Sequence, residues 1–234
     1  MRLVFASNNA HKLSEVRAMM PAGVEVLSLH EIGFEAEIDE TGETLEENSL
    51  IKAQTVWDWM NGENGDASLN GGLMIDGVFA DDTGLEIDAL NGEPGVYTAR
   101  WYKRNGGMSA AAPLNDAPAV LNDERIIFAA NRAKALRELE GKDNRECQFR
   151  TVITLLMNGD APLNGGMMQV EGIVRGRIAE KEFGEGGFGY DPVFIPEGYD
   201  KTFGELPAEL KNHISHRARA IQELVKVLND GLMK

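Results

Sequence analysis

The stretch VFADDTGLEIDAL, Val78–Leu90, decides how this chain is read. An apolar run with strand character meets two adjacent aspartates, Asp81 and Asp82, and then a Thr-Gly pair. Successive strand residues point to opposite faces, so a strand that continued through the pair would let only one aspartate face a given site. The alternative is a turn, because Asp and Gly are turn residues and short polar side chains cap loose backbone groups. The neighbouring segments weigh between the two.

Outward from this stretch, strands and helices interleave. RLVFA at residues 2–6 reads as a strand, and Leu13, Val16, Met19 and Met20 follow at helical spacing. VEVLSL is a second apolar stretch. Thr44 with Glu47 three residues later is a capping-box signature, and behind it Leu50, Ala53, Trp57 and Met60 mark one helix face. Residues 124–139 predict another helix, QFRTVITLLM and MQVEGIVRGRI a pair of strands, and the chain from about Ser215 a last helix burying Ala218, Ile221, Val225 and Leu228. This alternation predicts an α/β protein. The segments GDASLNGGLM (65–74) and GDAPLNGGMM (159–168) agree at eight of ten positions, with AAPLNDAP (111–118) a looser relative. They lack an apolar period and read as loop insertions, near 62–75, 106–122 and 158–168, in one domain.

Composition narrows the function. The 234 residues carry 38 acidic against 23 basic side chains, a formal charge of -15. A broad nucleic-acid surface needs a basic stripe, so no nucleic-acid partner is expected. No apolar run approaches a membrane span. Cys147 is the one cysteine, which leaves no disulfide framework and suits a reducing cytoplasm. A small anionic ligand remains possible if local cations, backbone N–H groups or a metal offset the general field.

Four segments have residue types suited to such a ligand. In FASNNAHKLSE a strand and short loop lead to Lys12 at a helix start, where free N–H groups bind phosphate. Ser7 and Asn8 add donors. The Walker A pattern is absent, and the plainer reading is a polar connection with a solvated lysine. In DETGETLEENSLIKA, Asn48 and Lys52 share a helical face. Glu40 and Asp82 would suffice for a hard cation such as Mg²⁺, which takes one or two carboxylates with phosphate and water. FGEGGFGYDP frames Phe188 with four glycines in six residues, an arrangement that offers a flat ring to a planar ligand, or else forms a glycine-rich hairpin. In KNHISHRARAI, Ser215 is a good N-cap, so His216 and Arg217 occupy a first turn whose dipole disfavours cations. An acceptor-rich ligand ahead of them would explain that placement, with Lys211 a further cation nearby; a solvated basic turn is the alternative.

Taken together, SNNAHK, TGETLEENSLIKA, FADDTGLEIDALNGEPGVYTARW, GGFGYDP and KNHISHR closely resemble the Ham1/RdgB family of noncanonical purine nucleoside triphosphate pyrophosphatases. The motifs run in order from residue 2 to about 228. Leu45 and Ser49 stand where Phe and Ala are usual, Thr83 stands for a common Ser, and the LNGG insertions look foreign to the pattern. The resemblance implies a mixed central sheet flanked by helices, two lobes with a nucleotide cleft between them, and a homodimer. It also implies Mg²⁺-dependent hydrolysis of ITP, dITP or XTP to the monophosphate and pyrophosphate. By matching positions, Ser7, Asn8, Asn9, Ala10, His11, Lys12, Lys52 and Arg100 would hold the triphosphate, and Glu40 and Asp82 the metal. Asp82 would also be the general base, with Asp81 and Asn48 supporting it and Thr83 against the substrate. Phe188, Gly189, Tyr190, Asp191, Lys211, His216 and Arg217 would form the nucleoside side, a donor there matching the 6-oxo group of inosine and mismatching the 6-amino group of adenosine. Other readings are a Maf-like pyrophosphatase of other nucleotides, and a nucleotide sensor without turnover.

Overall fold

A computed structural model describes residues 1–62, 74–106, 124–157 and 166–232. The three insertions expected from the sequence lie mostly outside the described residues.

The elements alternate as expected. They are β1 (Arg2–Phe5), α1 (Ala10–Met19), β2 (Glu25–Ser28), α2 (Leu45–Asn61), β3 (Gly77–Ile87), β4 (Pro94–Gly95), α3 (Glu124–Glu138), β5 (Glu146–Met157), β6 (Met167–Ile178), β7 (Phe194–Pro196), α4 (Ala208–Ile214) and α5 (His216–Leu232). A 3-10 helical segment, Thr98–Gly106, follows β4. The strands bond in the order β2-β1-β3-β5-β6-β7, with β4 on β3. β1 is parallel to β2 and β3, while the β3–β4 and β6–β7 pairs are antiparallel, so the sheet is mixed. The fold is α/β, a central sheet flanked by helices.

The turn reading of the double aspartate is overturned. β3 runs for eleven residues, straight through Asp81, Asp82, Thr83 and Gly84. A strand tolerates two adjacent carboxylates here because each is delivered to a different face, as described below. Of these elements, four escaped the sequence reading: β4, β7, α4 and the 3-10 segment. α4 is a seven-residue helix ending one residue before the Ser215 cap, and the 3-10 segment is too short in period to show an apolar stripe.

The chain divides into two compact units. Unit one comprises Met1–Asp82, Thr151–Ile173 and Ser215–Lys234. Its sheet residues alternate between two cores. Leu3, Phe5, Phe79, Ile153 and Leu155 face α1 and α5 through Val16, Ile221, Leu224 and Leu228. Val4, Ala6, Val78, Ala80 and Leu156 face α2 through Ala53 and Val56. Residues one apart on a strand therefore separate cleanly by face. The α2 start forms as expected, with Thr44 Oγ1 accepting from Glu47 N–H and the Glu47 carboxylate accepting from Thr44 N–H. Ser49 is fully buried on α2, and its hydroxyl meets Thr154 Oγ1 at 2.6 Å.

Unit two comprises Thr83–Arg150 and Val174–Ile214. Its core gathers Leu85, Ile87, Trp101, Leu139, Phe149, Tyr190, Phe194 and Phe203. α3 ties down the 3-10 segment: Asn131 accepts from Tyr102 N–H at 2.8 Å and donates to Ala99 O at 2.9 Å, while Lys134 Nζ donates to Trp101 O at 2.9 Å.

Gly172 on β6 lies so close to α5 that a Cβ there would come within 2.2 Å of His216 O and 2.3 Å of Ala220 N. Gly172→Ala is therefore expected to destabilise the fold by about 1–3 kcal/mol or more, the range for overpacking. Denaturant unfolding of the two proteins measures it.

Candidate active site

The face alternation along β3 carries into its polar half. Asp81 has the parity of Phe79 and projects to the α1/α5 side; Asp82 has the parity of Ala80 and projects to the α2 side. Both are buried, at 1% and 7% exposure. Each meets its own cations.

On the α2 side, Lys52 Nζ donates to Asp82 Oδ1 at 2.9 Å and to Glu40 Oε1 at 2.7 Å. Asn48, one turn before Lys52, places its Nδ2 3.4 Å from Asp82 Oδ2, and its Oδ1 accepts from Gly42 N–H at 2.8 Å. The Asn48 side chain thus joins the segment at Thr41-Gly42 to β3. A Cβ on Gly42 would lie 2.7 Å from that Asn48 oxygen, so the turn closes only around glycine. Burial raises the Asp82 pKa above the ordinary aspartate value, Lys52 and Lys12 pull against it, and Glu40 adds to it. Burial acts against the Lys52 ammonium, but Asp82, Glu40 and Asp81 outweigh it and raise its pKa.

These residues fit a hard divalent cation. Glu40 and Asp82 are oxygen donors that already converge on one positive group. Mg²⁺ asks for little more than one or two carboxylates, the rest of its shell being phosphate and water.

On the α1/α5 side, Lys12 Nζ donates to Asp81 Oδ1 at 2.9 Å and Arg217 Nε to Asp81 Oδ2 at 3.0 Å, while Arg217 Nη1 donates to Glu15. Burial works to raise the Asp81 pKa, but Lys12, Arg217 and Lys52 together hold it well below the usual carboxylate range. Lys12 is lowered, first by burial and then by its neighbours Lys52 and Arg217, against the pull of Asp81. The acceptors that explain cations in the first turn of α5 thus include two of the protein's own carboxylates. Glu15 was missed in the sequence, although it stands three residues after Lys12, on the same helical face.

The polar turn leading into α1 is partly used by the protein itself. Asn9 is the N-cap of α1 and accepts from Lys12 N–H at 2.9 Å; Ser7 Oγ accepts from Asn9 N–H at 3.3 Å, and Ser7 N–H donates to Phe5 O. Asn8, Ala10 and His11 are exposed around this turn. His216, buried at 6%, pairs its Nδ1 with Thr151 Oγ1 at 2.6 Å, and Ser215 Oγ caps α5 through Ala218 N–H.

In unit two the GGFGYD loop is organised by Asp191. Its Oδ2 accepts from Phe188 N–H at 2.7 Å and from Lys211 Nζ at 2.6 Å, and the Lys211 ammonium lies 4.7 Å from the centre of the Phe188 ring. Gly189 O accepts from Arg132 Nη1 at 2.9 Å, and Phe128, one turn earlier on α3, meets Phe188 at 6.1 Å between ring centres. Tyr190 is a core residue whose hydroxyl donates to Thr98 O. The glycines serve internal packing: a Cβ on Gly184 would strike Gly204 at 2.2 Å, and one on Gly187 would strike the Asp191 carboxylate at 1.9 Å. Gly189, at φ +61°, differs, with nothing within 4 Å of its would-be Cβ. Arg100 lies half-buried in this unit, 5.4 Å from the Tyr97 ring, and Thr83 is half-buried on β3.

The fold is α/β, and Asp82 of its central strand and the half-buried Glu40 meet on Lys52. The model of the Ham1 family matches residues 3–227. The chain is 41% identical over 228 residues to a dITP/XTP pyrophosphatase of Flavobacterium johnsoniae, covering 97% of this chain and 98% of that protein. It is 40% identical over 228 residues to one from Bacillus subtilis, covering 96% of each. The solved Ham1 protein of Staphylococcus aureus superposes with a TM-score of 0.70 at 32% identity, over 98% of this chain and 99% of that one. A HAM1 protein from Coxiella burnetii gives 0.72 at 31%, with the same coverage. The chain belongs to the Ham1 family.

The two aspartates titrate with opposite sign. Asp81, depressed in the fold, contributes stability present above its unfolded pKa of about 3.9 and lost as pH falls through the lower folded value. Asp82, raised in the fold, costs stability that builds up as pH rises from its unfolded pKa through the higher folded value. Asp81→Asn, which leaves Arg217 and Lys12 short of a buried counter-charge, should lower the unfolding free energy at neutral pH by about 3–5 kcal/mol. Asp82→Asn should match or exceed the wild type. Urea titrations at pH 7 decide both.

Proposed function

We propose that this protein hydrolyses noncanonical purine nucleoside triphosphates (ITP, dITP and XTP) to the monophosphate and pyrophosphate. Family membership supports the activity. The observation that carries its placement on this chain is the convergence of Asp82 and Glu40 on Lys52, with Asn48 holding the second oxygen of Asp82.

In this reading Asp82 accepts the proton of a water that attacks the α-phosphorus. The new bond is from water oxygen to phosphorus. The bond that breaks joins the α-phosphorus to the bridging oxygen, and pyrophosphate leaves with the electron pair. Burial makes Asp82 a stronger base than an exposed aspartate, with Lys52 and Lys12 pulling against that rise. Glu40 and Asp82 would hold Mg²⁺, which when bound neutralises phosphate charge and orients the departing pyrophosphate. Lys12, Lys52 and the Ser7–His11 turn, with Thr83 and Arg100, are assigned to the substrate's phosphates. The resemblance assigns Phe188, Gly189, Asp191, Lys211, His216 and Arg217 to the nucleoside, and Tyr190 supports them from the core. Homodimerisation rests on the resemblance alone and is read by sedimentation. Among the described residues no helix is long and apolar enough to cross a membrane.

The purified protein should release pyrophosphate, and no orthophosphate, from ITP, dITP and XTP, with ATP turned over at least about tenfold more slowly, as one mismatched buried polar group dictates. A chelator should abolish turnover, and added Mg²⁺ should restore it. Asp82→Asn should cost at least about 100-fold in kcat, the general-base contribution, without loss of fold by circular dichroism. Wild-type rates in that variant would remove Asp82 from the chemistry.

A further inference from the structure

In unit two, α3 turns two side chains, one helical turn apart, toward the same loop. Phe128 meets the Phe188 ring at 6.1 Å between centres, and Arg132 Nη1 donates to Gly189 O at 2.9 Å. The Arg132 side chain is mostly buried, with 14% exposed. Its Nε lies 3.0 Å from Glu182 Oε1 at the start of the loop, an ion pair without the alignment of a hydrogen bond.

The rest of the loop is held from within. Gly184 and Gly187 pass close to Gly204 and the Asp191 carboxylate, and that carboxylate accepts from Phe188 N–H and from Lys211. Gly189 is different, with φ +61° and open space around its would-be Cβ. Glycine has the most backbone freedom to lose, so the Phe188–Tyr190 corner would turn there if nothing held it. The peptide unit joining Gly189 to Tyr190 is planar. A donor fixed on its carbonyl oxygen therefore also sets the direction of the Tyr190 N–H. Arginine suits this task, because a guanidinium presents donors in fixed directions, whereas an ammonium is a point charge on a flexible stem. Glu182 on one nitrogen helps to aim another at the carbonyl.

From this geometry we infer that Arg132 is a positioning residue for the nucleoside: it acts through Gly189 O to lock the Phe188–Tyr190 corner, while Phe128 seats the ring from the same helix. The inference rests on the reading of Phe188 and Gly189 as nucleoside contacts. A corner already ordered in the free protein loses less entropy when a ligand arrives. Every ligand that stacks a base on the Phe188 ring gains from that order, and an anion without a base gains nothing.

The test compares Arg132→Met, which keeps an unbranched stem but has no donor, with the wild type. Hydrogen exchange in peptides covering residues 183–191 should quicken by about two- to tenfold, the equivalent of one net intramolecular hydrogen bond. KM for ITP and XTP should rise by a similar factor, with kcat changed less. By calorimetry, affinity for inosine monophosphate should fall by that factor, while affinity for inorganic triphosphate stays within about twofold. Arg132→Lys should recover part of the loss. In a Phe188→Ala background, Arg132→Met should cost less than about twofold more. An equal loss for inorganic triphosphate would overturn the inference, as would unchanged exchange, or faster exchange with unchanged affinity for inosine monophosphate. Should Arg132→Met fail to fold by circular dichroism, Arg132→Gln, whose shorter side chain withdraws from Gly189 O, carries the same comparison. If the wild type releases no pyrophosphate from ITP, the proposed activity fails, while exchange and calorimetry on inosine monophosphate still decide the role of Arg132.

Discussion

The pleat of β3 sends consecutive side chains to opposite faces of the sheet, and most of what is particular to this protein follows from applying that rule to two carboxylates. A buried ionised group is costly unless it is paired, so each aspartate requires a cation from whatever element covers its face. α1 and α5 supply Lys12 and Arg217 to Asp81, and α2 supplies Lys52 to Asp82. The functional groups are therefore set in the same operation that packs the apolar layers on either side. The same parity recurs on β5, where Thr151 meets His216 of α5 and Thr154 meets Ser49 of α2.

The two faces hold their carboxylates differently. On the α1/α5 side, Lys12 and Arg217 keep the Asp81 carboxyl well below the usual carboxylate range and tie three elements together. On the α2 side, Asp82 shares Lys52 with Glu40 and burial raises its pKa, which suits the base and metal-ligand roles proposed for it. A buried carboxylate held that way gives up stability for chemistry.

Unit two shows a related economy in its glycines. Gly184 and Gly187 are needed because backbone and the Asp191 carboxylate pass too close for any side chain, and the result is a loop in which one carboxylate fixes both the Phe188 amide and the Lys211 ammonium. Phe188 is held by a ring on α3 and a cation on α4. Its rigidity comes from the protein, in keeping with a platform prepared before any ligand arrives.

Much of this was open to reading in the linear order of residues. The helical stripe behind Thr44 and Glu47, the strand character of RLVFA and QFRTVITLLM, and the shared face of Asn48 and Lys52 all depend on local periodicity, which a chain displays before it folds. The five motifs, in order, were enough to indicate the family. Partnerships between residues far apart in the chain were not open in that way. That Arg217 would meet Asp81, 136 positions away, and Glu15, 202 positions away, depends on which helix covers which side of β3. The glycines of the GGFGYD loop likewise suggested a ligand, when their nearest neighbours are Gly204 and Asp191. Local spacing determined the elements and the cast of reactive groups; only tertiary packing decided which charge answers which, because burial makes pairing obligatory and the fold alone determines who is within reach.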